Sequence, residues 1–432
     1  MPNFDTKSAI CYLISSMLGS GINYMPAAFN KSGYLFAFGF LFIVACITGF
    51  TVYNLLRCCK KTNQTRTDGP ITYSAITDNK KSILSPTVKT ALVAASFSTT
   101  VGFQNYLREL IFIQISQYFP EQSSSIFSTA KVAILSVLAM SFFGLGMIKN
   151  TDKLKIVSKA GVFCVCSLIA VLSILNLSLK DFIYKIPVET CREINYTYSL
   201  SLFVMSMFVQ ASVPILFTSL ENQSKKNLII ISSILGLSGF LIYGSAGFLG
   251  YRLMGSYIGL NDLMRVFLDD NLPLNQYLIN NTSINPIYSS VLRYLLKYQG
   301  ICGMIIILAS FPMTFAPTLN FCKELLPVKY RDSTSFHGLI VASLVALATS
   351  INLIPNMSLD FIYMMLGPTA ANYIAFFLPS LLYILYGENK APFKKILSTI
   401  IMTMSALYMC YGSYNAISSL FVTSPGLEEN AF

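Results

Sequence analysis

Apolar residues in this chain come in blocks of about twenty, separated by short polar runs, at about 8–30, 34–56, 89–117, 129–148, 155–178, 199–220, 227–250, 299–326, 335–355, 357–386 and 396–421. A helix of about twenty apolar residues is long enough to cross roughly 30 Å of hydrocarbon. The pattern predicts an all-α polytopic membrane protein of about 11 transmembrane helices. Two blocks are interrupted. The first reads MLGSGINYMPAAFNKSGY over residues 17–34, and the sixth reads SLFVMSMFVQASVPILFTSLEN, with Gln210, Ser212 and Pro214 near its middle.

Backbone polar groups in hydrocarbon must be paired, so unwound backbone is tolerated only where protein buries it or water reaches it. Gly19, Ser20 and Gly21 can unwind a turn, and Pro26 removes a further amide donor. Amides freed at the start of the second half-helix suit a carboxylate, and carbonyls at the end of the first suit a cation. Close helix packing through small residues explains the first block equally well. The second interruption, five blocks later, favours a site. That spacing fits a 5+5 inverted repeat whose broken helices 1 and 6 meet at mid-membrane, as in the leucine-transporter fold, with an eleventh helix appended. No sequence identity between the halves adds to the spacing.

Composition agrees with this reading. The 432 residues are 54% hydrophobic and 11% charged, with mean hydropathy +0.60, whereas a soluble domain carries about a quarter charged residues. Seven residues precede the first block, so the first span itself is expected to serve as targeting signal rather than a cleaved peptide. The longest polar stretches, 57–88 and 252–296, leave no room for a soluble domain. Residues 1–432 therefore read as one transmembrane unit, with helices 1–5 at about 8–178, helices 6–10 at about 199–386 and helix 11 at about 396–421.

Charge sets the expected orientation. Twenty of the 30 Lys and Arg fall in segments on the N-terminal side of the membrane and nine on the other. The bias places the N-terminus in the cytoplasm and the C-terminus outside or in a lumen. The net charge of +11 then reads as topology and contact with anionic membrane lipids, not nucleic-acid binding. The sequons at Asn195 and Asn281 fall on the outer side, as candidate glycosylation sites. A plasma membrane and a vacuolar or lysosomal one fit equally. The ten cysteines form no disulfide framework, since most lie in or beside apolar blocks. Cys58 and Cys59, beside Lys60 and Lys61, read as unmodified thiols or as a palmitoylation site, the former favoured. Cys191, in a polar loop, could meet only Cys302, and only if the fold brings them together.

Arg108 and Glu109 lie well inside the third block, in GFQNYLRELIFIQ. Buried charges at such depth cost a few kcal/mol and by default face a cavity. Adjacent helical positions point about 100° apart, which argues against a simple pair between them. Glu109 is a candidate carrier of a coupling proton, its pKa raised by desolvation. A structural tie to another helix is the favoured alternative.

The residues carry a resemblance. GSGINYMPAAFNKSG resembles the first-span signature of the amino acid/auxin permease family, Gly-(Ser/Ala)-Gly-Ile-x-x-(Leu/Met)-Pro-x-Ala-x-x-x-x-Gly, at Gly19, Ser20, Gly21, Ile22, Met25, Pro26, Ala28 and Gly33. SAGFLGYRLMG at 245–255, FPMTFAPTLNFCKELL and LGPTAANYIAFFLPSLLY are similar to the family's patterns in spans seven, eight and ten. The resemblance covers nearly the whole chain and implies an amino acid symporter or antiporter working by alternating access, with H+ or Na+ as coupling ion and no cofactor. By it, the substrate carboxylate meets the amides of Ser20 and Gly21, within a substrate set of Leu18, Gly19, Ser20, Gly21, Ile22 and Asn23. The ammonium meets carbonyls near Leu18 and in Phe208, Gln210, Ala211 and Ser212, with Tyr106 as a hydroxyl partner. A sodium-type site would use Ser15, Leu18, Ala309 and Ser310. Asn23 and Tyr24 depart from the family's usual Leu and Gly or Ala, and Ser15 stands where sodium-coupled relatives often carry Asn. The single histidine, His337, is expected in a cytoplasmic loop, so no histidine proton relay can form in the membrane.

Other classes fit less well. GLSG at 236–239 matches the Gly-x-Ser-Gly nucleophile motif of rhomboid proteases, yet nucleophilic serine needs a base within reach and the membrane blocks hold no histidine. No metal spacing, P-loop or dinucleotide fingerprint is present, so an enzyme is not expected. An amino acid sensor on the same fold, binding without flux, is the remaining alternative.

Overall fold

The computed structural model describes residues 4–65, 71–77, 84–118, 124–148, 151–185, 194–258, 262–281, 285–331, 333–354, 359–386 and 392–422. All named elements are helical. In chain order they are α1 Thr6–Met17, α2 Gly21–Ser32, α3 Tyr34–Thr65, α4 Tyr73–Thr77, α5 Leu84–Tyr118, α6 Ser124–Gly146, α7 Thr151–Ser178, α8 Lys180–Lys185, α9 Tyr196–Ser206 and α10 Val213–Thr218. There follow α11 Lys225–Met254, α12 Leu263–Leu268, α13 Pro273–Asn280, α14 Pro286–Glu324, α15 Val328–Arg331, α16 Thr334–Ile351, α17 Leu359–Leu366, α18 Leu378–Tyr386 and α19 Pro392–Val422.

Nine segments among the described residues are long and apolar enough to cross a membrane. The first and third blocks are not among them, for different reasons. The first is split into α1 and α2, each of 12 residues and too short alone. The third is the 35-residue α5, long enough but interrupted by Lys89, Arg108, Glu109 and several Ser, Thr and Gln. The apolar surface divides by depth. The windows in α9–α10 and α14 are mostly enclosed by protein, whereas those in α16 and α19 mostly face outward. The broken segments thus lie in the middle and their supports at the rim.

The breaks fall where the sequence puts them. Leu18 to Ser20 separate α1 from α2, and Met207 to Ser212 separate α9 from α10, closing through a single 3-10 turn at Gln210–Ser212. The family-like motifs pack on one another. A Cβ at Gly250 of α11 would strike the ring of Pro26 in α2. Gly33 and Gly255, the closing glycines of two motifs, adopt φ of 74° and 51°, where a side chain would be strained. Gly-x-Thr of the tenth block opens two π-helical stretches, Gly367–Ala371 and Tyr373–Phe377.

Several expectations need correction. The eighth span begins at Pro286 rather than near residue 299, because Asn285 caps it, Pro286 occupies its first turn, and Arg293 and Lys297 disguise two further turns as loop. The 252–296 stretch thus holds α12, α13 and the start of α14. His337 is not in a loop; it is buried in the first turn of α16, with Nε2 3.2 Å from the Gly146 carbonyl. Cys58 and Cys59 are buried, which removes the palmitoylation reading. Cys191 lies outside the described residues, and Cys302 is a buried free thiol. Gly236 and Gly239 of GLSG pack against the Ala45 carbonyl and the Met207 side chain, consistent with ordinary close helix packing.

Arg108 and Glu109 do form a pair, Nη2 to Oε1 at 2.6 Å. Both side chains are long enough to bend across the angle between their positions. Arg108 also donates to the Asn352 carbonyl and to Asn105 Oδ1, both at 2.7 Å, tying α5 to the end of α16. The Glu109 side chain is 48% exposed.

Candidate functional site

The interruption of α1 and α2 is built by close approach. A Cβ on Gly19 would lie 2.9 Å from the Phe103 ring of α5, and one on Gly21 would strike the Ser206 hydroxyl at the end of α9. Both glycines therefore let the break sit flush between α5 and α9. The Gly21 and Ile22 amides open α2 and have no intrahelical acceptor. Asn23 is 1% exposed, and neither its Oδ1 nor its Nδ2 has a hydrogen-bond partner among the described residues. Buried amides are normally paired. Asn23, three residues past the break, is thus an orphaned carboxamide in the first turn of α2.

The two breaks are tied together by a residue that the sequence reading missed. Tyr243 of α11 is fully buried, with its hydroxyl 2.7 Å from the Met17 carbonyl and 2.8 Å from the Ser206 carbonyl. Those carbonyls end α1 and α9, and the single hydroxyl proton serves both. A tyrosine in the middle of an apolar helix was the only sequence signal.

The other contacts sort by side of the break. Toward the face bearing α12, the Ser20 hydroxyl bonds Tyr363 of α17. Tyr363 packs edge-on against Tyr24, whose centroid is 5.9 Å away, and Tyr24 lies 5.8 Å from Tyr106. Tyr106 in turn donates to Asp262, the N-cap of α12. Toward the N-terminal face, Ser16 donates to Ser212 at 2.8 Å, since the Ser212 proton is directed to the Met313 carbonyl at 3.1 Å. Tyr73 of α4 donates to the Gln210 carbonyl at 2.8 Å. Before α1, Phe4 pairs with the end of α10, its amide 2.7 Å from the Ser219 carbonyl and its carbonyl 3.1 Å from the Glu221 amide. Between these contacts a cleft lined by Tyr73, Lys89, Ala211, Pro317 and Glu324 holds about 20 Å³ of free volume.

The residues expected in the site separate accordingly. Of Leu18 to Asn23, Ser20 joins Tyr106 through Tyr363 and Tyr24, while Ser16 and Ser212 meet on the other side of the break. Phe208 is buried within the sixth-block break. Ala211 faces the cleft. Gln210 is committed elsewhere: its Oε1 accepts from the Val209 amide and its Nε2 donates to Thr51, each at 3.0 Å. The side chain braces the break, while the Gln210 carbonyl accepts from Tyr73. Ser15, Leu18, Ala309 and Ser310 do come together. Ser310 donates to the Leu18 carbonyl, and Gly161 of α7 leaves room for both Ser15 and Ala309. Ser310 and Leu18 are paired with each other, and the Ser15 hydroxyl is the side-chain oxygen of the set without a partner. The set offers hydroxyls and the carbonyls at the end of α1 and no carboxylate.

Glu109 stands apart. Its partner is Arg108, whose remaining bonds run to Asn105 and Asn352 rather than toward the breaks. We expect Glu109→Gln to transport at within about twofold of the parent in vesicles with an imposed pH gradient, as is usual for an exposed pair. A rate reduced tenfold would return Glu109 to the transport pathway. Asn195 caps α9, accepting from the Tyr198 amide at 2.9 Å, and is exposed. Asn281 ends α13 and is half-buried, with the other two residues of its sequon outside the described set.

Comparison with known proteins agrees with the architecture. The chain is 21% identical over 395 residues to vacuolar amino acid transporter 5 of Schizosaccharomyces pombe, covering 89% of this chain and 85% of that protein. Its fold is similar to the crystal structure of MhsT in complex with L-phenylalanine, with a TM-score of 0.59 at 11% identity, covering 95% of this chain and 98% of that one. That likeness shows the leucine-transporter fold. Residues 3–418 match the model of the transmembrane amino acid transporter protein family, and the chain belongs to that family.

Proposed function

We propose that the protein is a secondary active transporter that moves amino acids across the membrane by alternating access, driven by protons. The observation that carries the reading is the meeting of two broken helices under one hydroxyl, that of Tyr243. The zwitterion's carboxylate is received by the free amides at Ser20, Gly21 and Ile22, at the positive end of the 12-residue α2. Its ammonium faces the carbonyls that end α1 and α9. Asn23, buried and unpaired, supplies the polar contact that distinguishes one side chain from another.

Access then alternates between two sets of closures. Opening toward the α12 face must release the contacts from Ser20 through Tyr363, Tyr24 and Tyr106 to Asp262. Opening toward the N-terminal face must release Ser16–Ser212, Tyr73–Gln210 and the Phe4 pairing. Ser15, standing where sodium-coupled relatives often carry Asn, favours protons over sodium. We place the N-terminal face in the cytoplasm on the distribution of Lys and Arg. The fission yeast relative's name supports a vacuolar membrane for this chain too.

Reconstituted vesicles test the reading. Labelled amino acids are expected to enter and to be displaced by a subset of unlabelled ones, with uptake stimulated by a pH gradient and indifferent to sodium. Saturable binding without flux would identify a sensor, and sodium-dependent accumulation would reverse the ion assignment.

A further inference from the structure

Resting on the transport reading, we propose that Asp262 is the coupling-proton site: it takes a proton from the α12-side compartment as α12 closes over the amino acid site and gives it up inward, past Tyr106, when the opposite face opens.

Among the described residues Asp262 is the only buried carboxylate, 7% exposed. It does not sit in a membrane block. It lies in the connection after α11, at the point where α12 turns in over α2 and α5. Its hydrogen bonds all arrive on one oxygen: Oδ1 accepts from the Tyr106 hydroxyl, from the Met264 amide at 2.9 Å and from the Arg265 amide at 3.0 Å. Tyr106 is the link inward. Through Tyr24 and Tyr363 it continues the contact chain to Ser20, where the substrate carboxylate is received. The group that opens or closes this face and the group that senses a proton are thus the same residue.

From α5 Asp262 meets Tyr106, from α2 Tyr24 lies behind that ring, and from its own helix come the two amides and the exposed Arg265. The cations of α14 nearest this region, Arg293 and Lys297, pair with Asp270 at the far end of α12. No cation forms an ion pair with Asp262 among the described residues. Burial pushes its carboxyl above the ordinary value, against the lowering by the Tyr106 hydroxyl, the two amides and the Arg265 charge. The sign follows. With α12 lifted the carboxyl meets water and titrates near its ordinary value; with α12 closed it titrates higher. Protons therefore favour closure, and the preference is lost as pH rises through the closed-state pKa. An acidic compartment on the α12 side loads the site and closes it, and a neutral one on the other side receives proton and amino acid together.

Asp262→Asn keeps the capping oxygen for all three donors but cannot titrate. In vesicles, one pH unit should drive about tenfold accumulation for one coupled proton in the parent. The variant is expected to exchange labelled for unlabelled amino acid at equal pH on both sides, yet to accumulate no more than the external concentration. Tyr106→Phe removes a bond that favours the ionised form, so its uptake midpoint should move to higher pH. Glu109→Gln should keep the parent's pH response. Gradient-driven accumulation by Asp262→Asn would overturn the proposal. So would loss of exchange in a variant that still folds and melts like the parent, or a downward shift of the midpoint in Tyr106→Phe. A parent protein that neither exchanges nor accumulates would instead overturn the transport reading, and one that exchanges but ignores pH would overturn proton coupling alone.

Discussion

Gly21→Ala loses about a hundredfold in transport, and Ser206→Gly restores most of it. The added methyl lands on the Ser206 hydroxyl and 3.0 Å from its Cβ, at a point where α2 and α9 are already in contact. Neither can move without shifting the amides that open α2 relative to the carbonyls that end α9. A displacement of about 1 Å at such a constellation is enough for a hundredfold loss. With Ser206 reduced to glycine the nearest remaining atom is the Cα, 3.3 Å away, which a slight adjustment accommodates. Rescue in the double variant separates a steric role from a special property of the Gly21 amide. Two single losses that simply add would show that the glycine is needed for something other than room. Transport rates in vesicles, normalised to protein that melts cooperatively, provide the measurement.

Tyr243→Phe comes next in size. The phenylalanine fills the same volume, so only the hydroxyl is removed. The carbonyls of Met17 and Ser206 then lose a buried donor, a loss of about 1–3 kcal/mol. That corresponds to roughly a fivefold to 150-fold fall in the population holding both broken helices in register. Substrate affinity is expected to fall with it, because both ends of the zwitterion depend on that register. A variant that binds and transports at more than half the parental rate would reduce Tyr243 to a packing residue.

The elements and the two breaks were legible because each leaves a local signature. Twenty apolar residues announce a helix in lipid, and Gly-Ser-Gly or Gln-Ala-Ser-Val-Pro announces its interruption. What closes the breaks was not legible. Tyr243 and Asp262 act across the fold, on partners distant in sequence, and neither stands out from its neighbours in the chain. Asp262 was hidden further by its setting, a polar stretch that reads as a loop until α12 and α13 are seen to pack inward. Glu109 drew attention because a charge inside an apolar run is conspicuous, yet its partner is the neighbouring arginine. The bracing role of the Gln210 side chain was equally hidden, because its partner Thr51 lies far away in the sequence.

The pairing of Phe4 with the end of α10 has an experimental use. The chain contains no tryptophan, so a Phe4→Trp variant would carry a single indole in an otherwise dark background. Phe4 is buried, 5.5 Å from the Tyr12 ring and with the Lys155 ammonium 5.2 Å above it. Release of that strap as the N-terminal face opens would carry the indole into water and shift its emission to the red. One substitution would thereby turn the resting closure into an optical record of which way the protein faces, read in real time as amino acid and protons are added.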